Sequence, residues 1–216
     1  MLYRVAKTIS GPVMRALWRP RVEGREHVPP LGPAILASNH LSVVDSYILP
    51  AVLTRPMRFV AKNEYFTGNR LIASWVRAMG SMPIDRENVS AAQAMLDSAV
   101  EVLKAGELFG IYPEGTRSPD GRLYRGKIGV AWLTLTTGAP VVPIAMLGTE
   151  KVLPPGASVP RIHRIGVRIG APMTFTGDPA RAADRRMVTD QVMEAIRELS
   201  GQEYVPRYAA SVKDSA

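Results

Sequence analysis

The chain of 216 residues contains no cysteine. That absence excludes disulfides, a cysteine nucleophile and a thiolate metal site. Aromatic residues make up only 6% and are not interleaved with basic residues along one face, the pattern a nucleic-acid-binding module needs, so only the chain's charge speaks for such a module. An uninterrupted membrane-spanning run is also missing. The longest stretch without charge, Ile128 to Thr149, is interrupted by Gly138, Pro140 and Pro143, whereas a span needs about 20 mostly apolar residues. It reads as a helix over 127–137, a Gly-Ala-Pro turn and a buried strand from Val141 to Leu147.

Hydrophobic residues at 46% and charged residues at 21% describe an ordinary globular chain of one domain with a sizeable core. A net charge of +8 with a pI near 10.0 points to an anionic partner: nucleic acid, lipid headgroups or a phosphorylated substrate. The excess is mainly N-terminal, where Arg4, Lys7, Arg15, Arg19, Arg21 and Arg25 face only Glu23. The same segment places Leu2, Val5, Ile9, Val13 and Leu17 at helical spacing with Trp18 at its end. This predicts a basic amphipathic helix suited to a membrane interface, or a surface helix packed on the domain. Lys7 and Arg15 interrupt it as a span, Gly11-Pro12 bends it, and it lacks the apolar centre and cleavage site of a signal peptide. The expected organisation is a membrane-associating segment at 1–19, a catalytic domain at 20–200 and a tail at 201–216, loose from 205 onward.

Strand-like runs at 34–38, 57–61, 108–111 and 164–169 alternate with helical patterns at 45–53, 70–79, 89–104 and 180–199. Such alternation predicts an α/β fold, a single-domain sandwich around a largely parallel central sheet, with ligand sites beyond the strand ends. Leu153 to Pro160 reads as a Pro/Gly-rich surface loop.

The residues able to do chemistry stand at those ends. His40 and Asp45, in Ser38-Asn39-His40-Leu41-Ser42-Val43-Val44-Asp45, follow the strand at 34–38 and precede a helix. A carboxylate at a helix start can reach back to the imidazole, fix its tautomer and steady the imidazolium, making His40 a general base near neutrality. Neither Ser38 nor Ser42 lies in a G-x-S-x-G elbow, so the hydroxyl that His40 would activate is a substrate's. A helix cap without catalysis is the alternative for a His-Asp pair at this spacing. The other histidines, His27 and His163, have no comparable context.

A second constellation, Glu114-Gly115-Thr116-Arg117-Ser118, leaves the strand at 108–111 for a polar loop. Arg117 can take phosphate oxygens bidentately and Gly115 lets backbone approach a ligand. Glu114 repels phosphate unless it orients a basic group or accepts from a substrate hydroxyl; a salt bridge holding the loop, even to Arg117, is its structural alternative. Lys62 ends a strand, Arg86 ends the run Gly80 to Arg86, and Lys127 opens the helix after the 118–126 loop. Each can be a solvated charge, or together they form one anion site.

Taken together, these motifs resemble the glycerolipid acyltransferases, in particular the bacterial 1-acyl-sn-glycerol-3-phosphate acyltransferases, over roughly residues 20–175. Asn39, His40 and Asp45 match the N-H-x-x-x-x-D block, Gly80 to Arg86 the second block, Glu114 to Ser118 the E-G-T-R-S block and Val142-Pro143 the fourth. Pro83 stands where the second block usually has an aromatic. The resemblance implies His40 as base, Asp45 as its orienter, and Arg86, Glu114 and Arg117 at the glycerol phosphate; Asn39, Lys62, Gly115, Thr116 and Lys127 complete the expected substrate-binding set. It implies transfer of an acyl group from acyl-CoA or acyl carrier protein, as co-substrate, to lysophosphatidic acid, giving phosphatidic acid for phospholipid synthesis. No metal or other cofactor is expected, and the enzyme would sit peripherally or monotopically at the anionic cytoplasmic face of the cell membrane. Alternatives are another lysophospholipid or glycerol 3-phosphate as acceptor, a thioesterase or lipid hydrolase in which His40 activates water, and a catalytically silent lipid-binding protein.

Overall fold

Alternate residues of one strand set the layers of the molecule. In β2 (Ala34–Ser38), Ala34 and Leu36 join one apolar cluster while Ile35 and Ala37 join another, as a strand of period two does when both of its faces are buried. A computed structural model describes residues 12, 14, 16–62, 81–84, 89–154, 157 and 159–213, with backbone alone at 60–62, 81–84, 89–92 and 213.

Around β2 runs a seven-stranded sheet. Its members are β1 (Arg21–Glu23), β2, β3 (Met57–Lys62), β4 (Ser81–Ile84), β5 (Leu108–Ile111), β7 (Val141–Leu147) and β8 (Gly166–Ile169), in the spatial order β1-β8-β7-β2-β5-β3-β4. Every pairing is parallel except β7 with β8, so the largely parallel sheet expected from the alternation is present. A separate parallel pair joins β6 (Leu123–Tyr124) to β9 (Tyr204–Val205).

One face of the sheet is covered by α1 (Asp45–Val52), whose Ile48, Leu49 and Val52 pack on Leu36, Val142 and Ile144. Met14 and Trp18 reach the same cluster, while Leu17 stays exposed. The part of the N-terminal segment that is described, helical at 12, 14 and 16–18, thus packs on the domain. The opposite face takes α2 (Val89–Lys104), α3 (Gly129–Thr137) and α5 (Ala182–Ser200) through Ala99, Leu103, Val130, Leu133, Val192 and Ile196. In α5, Val188, Val192 and Ile196 recur every fourth residue and form the buried stripe of a helix lying on a sheet. Among the described residues, no helix is long and apolar enough to cross a membrane.

The remaining elements, α4 (Thr149–Val152) and α6 (Ala209–Lys213), are short. The tail expected from 205 onward is in part structured: β9 pairs with β6, Arg125 N donates to Arg207 O at 2.9 Å and Ala209 is fully buried. Low apolar content hid this, because the segment is held by backbone hydrogen bonds rather than by an apolar stripe. The helix expected over 127–137 begins at Gly129, and Lys127 precedes it with its N–H donating to Pro113 O at 2.7 Å. The helix expected at 70–79 and Arg86 lie outside the described residues.

Gly110 marks where β5 is squeezed. A Cβ there would lie 2.4 Å from both Met57 Cε and Phe59 Cε1. Gly110→Ala should therefore lower the unfolding free energy by about 1–3 kcal/mol through overpacking, measured by urea denaturation; an unchanged midpoint would show that β3 yields without strain.

Candidate active site

Two parallel strands lying side by side bring the two motifs together. Ala37 of β2 pairs in register with Ile111 of β5, so the chain leaves both strands at the same edge of the sheet, one exit carrying Asn39-His40 and the other Tyr112-Pro113-Glu114. Asp45 begins α1 and turns its carboxylate back toward that edge.

Asp45 Oδ2 accepts from three groups: His40 Nδ1 at 3.0 Å, Leu41 N at 2.7 Å and Ser42 N at 2.8 Å. The two amides can only donate, so the oxygen they share is an acceptor, and His40 Nδ1 must carry the proton it points at that oxygen. Nε2 is then the basic nitrogen of the neutral ring. Asp45 is fully buried, whereas the His40 side chain keeps 15% of its surface, enough for one edge to meet a substrate. The imidazole lies flat against Tyr112, with centroids 3.9 Å apart and planes 9° apart, and Phe59 continues the stack at 5.5 Å. Tyr112 is fixed in turn by a 3.0 Å hydrogen bond between its hydroxyl and Ser46 Oγ. Burial first, and the charge of Asp45 second, push the Tyr112 phenol well above the ordinary tyrosine value, so it remains neutral beside the histidine. Tyr112 was not among the expected site residues, although its place at the end of β5, directly before the second motif, was visible.

The loop from Tyr112 to Lys127 is bound to the histidine through its backbone. Ser118 N donates to His40 O at 2.7 Å. Glu114, 1% exposed, accepts from His40 N at 3.1 Å through Oε2 and from Tyr124 N at 2.9 Å through Oε1. Its carboxylate thus braces the loop against the histidine instead of facing solvent. Asn39 is likewise turned inward. Its Oδ1 accepts from Met146 N at 2.7 Å, and its Nδ2 donates to Met146 O at 3.0 Å and to Gln202 Oε1 at 2.7 Å. The side chain imitates one more rung between β2 and β7, past the end of β2.

Gly115 has φ 73°, a left-handed conformation suited to glycine. A Cβ there would meet Lys127 Cε at 2.9 Å and Nζ at 3.1 Å, so the lysine lies across this turn. Arg117 and Lys127 are exposed, and among the described residues neither is in an ion pair. Thr116 is half-buried in the same turn. Further along the loop, Asp120 accepts from Arg122 Nε at 2.8 Å and from Tyr124 OH at 3.0 Å, and Ser118 Oγ donates to Arg122 O at 2.7 Å. Burial works against the Asp120 charge, but the hydrogen bonds from Arg122 and Tyr124 prevail and hold its carboxyl below the usual range. Of the expected set, His40, Asp45, Asn39, Glu114, Gly115, Thr116, Arg117 and Lys127 belong to one corner; the side chain of Lys62, at the end of β3, lies outside the described residues, as does Arg86.

A largely parallel α/β sheet that places a histidine–aspartate pair and a cationic loop at one strand edge is the arrangement expected from the acyltransferase-like motifs. The model of the acyltransferase family matches residues 19–147, and the chain belongs to that family, which includes the 1-acyl-sn-glycerol-3-phosphate acyltransferases. The chloroplastic 1-acyl-sn-glycerol-3-phosphate acyltransferase LPAT1 of Arabidopsis thaliana is 34% identical over 155 residues, covering 71% of this chain and 43% of the plant protein. The 1-acyl-sn-glycerol-3-phosphate acyltransferase of Bacillus subtilis is 29% identical over 187 residues, covering 84% and 88%. The chain spans less than half the length of the plant relatives it matches, 43% and 44% of the two plastid proteins. The crystal structure of the 1-acyl-sn-glycerophosphate (LPA) acyltransferase PlsC from Thermotoga maritima superimposes with a TM-score of 0.73 at 25% identity, covering 91% of this chain and 79% of that one.

Because folding raises the proton affinity of Tyr112, the unfolded chain holds fewer protons than the folded one above about pH 10, and stability falls as pH rises through that region. Tyr124 and Tyr204 are raised as well and add to the same loss. Urea denaturation from pH 8 to 11 should show this decline, with a shallower slope in Tyr112→Phe; equal slopes would assign the loss to the other tyrosines.

Proposed function

We propose that the protein transfers a fatty acyl group from acyl-CoA or acyl carrier protein to the free hydroxyl of lysophosphatidic acid, yielding phosphatidic acid. The observation that carries this reading is the His40–Asp45 contact at 3.0 Å beside a loop bearing Arg117 and Lys127. The family and the names of its relatives support the same acceptor class.

In this mechanism Nε2 of His40 takes the acceptor's hydroxyl proton while its oxygen attacks the thioester carbonyl, so the new C–O bond forms without an acyl-enzyme. The tetrahedral intermediate collapses by breaking the C–S bond, and the leaving thiolate takes the proton back from the imidazolium. Asp45 stabilises the imidazolium during that interval, as a buried carboxylate does for a catalytic histidine in hydrolases. Arg117 and Lys127 hold the acceptor's phosphate, with Lys62 and Arg86 proposed as further cations. Glu114 and Asn39 act by position: one fixes the loop, the other the strand end. The only co-substrate required is the acyl carrier, and no other cofactor enters a step.

The acyl group and acceptor are lipids, so the enzyme is proposed to work peripherally at an anionic membrane surface, the cytoplasmic face of the cell membrane. Support comes from a second patch besides the basic N-terminus. Val159 and Ile162, 74% and 78% exposed, alternate with the exposed Arg161 and Arg164, and Trp18 Nε1 donates to Arg161 O at 3.0 Å, joining this loop to the N-terminal segment. Exposed apolar side chains among cations suit an anionic interface.

The purified protein should form phosphatidic acid from lysophosphatidic acid and a thioester donor, resolved by mass spectrometry. His40→Ala should reduce kcat by about 10²–10⁴-fold, and Asp45→Asn should also reduce it, since a neutral amide lacks the charge that steadies the imidazolium. Arg117→Ala should chiefly raise the acceptor's KM, and a larger rise for the donor would move that arginine to the donor site. Thiol release that is equal with and without acceptor would favour a hydrolase. Val159→Asp with Ile162→Asp should weaken co-sedimentation with vesicles containing phosphatidylglycerol; unchanged partition would confine membrane contact to other surfaces.

A further inference from the structure

The family match ends at residue 147, yet a residue far beyond it reaches into the site. At the end of α5, Gly201 adopts φ 70° with its N–H on Arg197 O at 2.8 Å, and this left-handed turn directs the chain back toward the edge of the sheet that holds His40. The next residue is Gln202. Its Nε2 donates to Gly121 O at 2.6 Å, and its Oε1 accepts from Asn39 Nδ2 at 2.7 Å. The orientation of the amide is fixed by its partners: a backbone carbonyl can only accept, and Asn39 presents its NH₂ because its own oxygen is taken by Met146 N. One side chain therefore joins the residue before His40 to the loop that carries Arg117 and Lys127.

The strand that follows completes the connection. Leu123 N donates to Glu203 O at 2.9 Å, β9 pairs with β6, and Arg125 N donates to Arg207 O at 2.9 Å. On its other side Tyr124 N is held by Glu114, whose second oxygen takes His40 N. The bonds form a closed ring: His40, Glu114, Tyr124, β9, Gln202, Asn39 and back to His40 through the chain. Gly121, the point Gln202 grips, has φ 87°, and no side chain of its own can anchor it.

We propose that Gln202 is a positioning residue of the acceptor site, setting the separation between the cationic loop and Nε2 of His40. This rests on the lysophosphatidic acid reading, because a single molecule must then place its phosphate on Arg117 and Lys127 and its hydroxyl on His40 together. A displacement of about 1 Å in such an arrangement can cost on the order of 10²-fold in rate, so a loop bearing the phosphate ligands needs a tie to the base itself. The tie acts on the acceptor and leaves the donor aside.

Two full-length variants test this. Gln202→Glu keeps the length and the acceptor for Asn39 but sets a carboxylate against Gly121 O; Gln202→Ala removes both arms. Each should raise the acceptor's KM by about 5–20-fold, equivalent to about 1–2 kcal/mol, with the donor's KM changed less than twofold. Hydrogen–deuterium exchange should accelerate at 118–126 and remain unchanged in α2 and α5. If Gln202→Ala does not fold, Gln202→Glu carries the test. Acceptor KM within twofold of the unmodified chain in the folded variants overturns the proposal, as does an equal rise for donor and acceptor, or unaltered exchange in the loop. Absence of any transfer to lysophosphatidic acid by the unmodified protein would instead remove the acceptor reading, and this proposal with it; that outcome is seen before any variant is assayed.

Discussion

Everything at the candidate site turns on one oxygen. Asp45 Oδ2 receives His40 Nδ1 and two backbone amides, so the carboxylate that orients the imidazole also ties down the loop between β2 and α1. Burying a carboxylate without donors is costly; here the hydrogen bonds that offset the burial are those that select the histidine's tautomer. The Asp45 N–H on Ser42 O at 3.1 Å closes the same turn from the other side. Stability and reactivity are consequently not separable at this corner.

Glu114 and Asn39 extend that economy of groups. Both are polar, both belong to motifs that match the family, and both hold backbone: Glu114 the amides of His40 and Tyr124, Asn39 the amide and carbonyl of Met146, with its Nδ2 also on Gln202 Oε1. Among the described residues of this corner, the cations left exposed are Arg117 and Lys127, which the proposed acceptor's phosphate would meet from solvent. The described part of the site thus divides into an internal frame of acids and amides and exposed cations.

The sequence made some of this legible and hid the rest for identifiable reasons. β2, β5 and β7 appear as short uncharged runs bounded by turn residues, and the structure places them at 34–38, 108–111 and 141–147. α2 was equally clear, since Leu96, Ala99, Val100 and Leu103 repeat at helical spacing. By contrast β1, β6 and β9 have three, two and two residues, too few for periodicity to register, and β6 finds its partner some eighty residues away. Motif spacing found His40 and Asp45 because that contact is local. Whether Glu114 or Asn39 would face a ligand or the protein's own backbone depended on long-range neighbours, and so did the part played by Gln202.

The stack of His40 on Tyr112 has a consequence beyond holding the ring in place. A neutral imidazole 3.9 Å from a parallel phenol ring gains mainly dispersion, but once it accepts a proton its positive charge lies over the negative face of the aromatic quadrupole. A cation–π attraction of about 0.5–2 kcal/mol then appears that the neutral ring does not have. In the proposed transfer, the aromatic ring thereby favours the state in which the proton has moved over the state in which it has not, and such unequal stabilisation is what lowers a barrier.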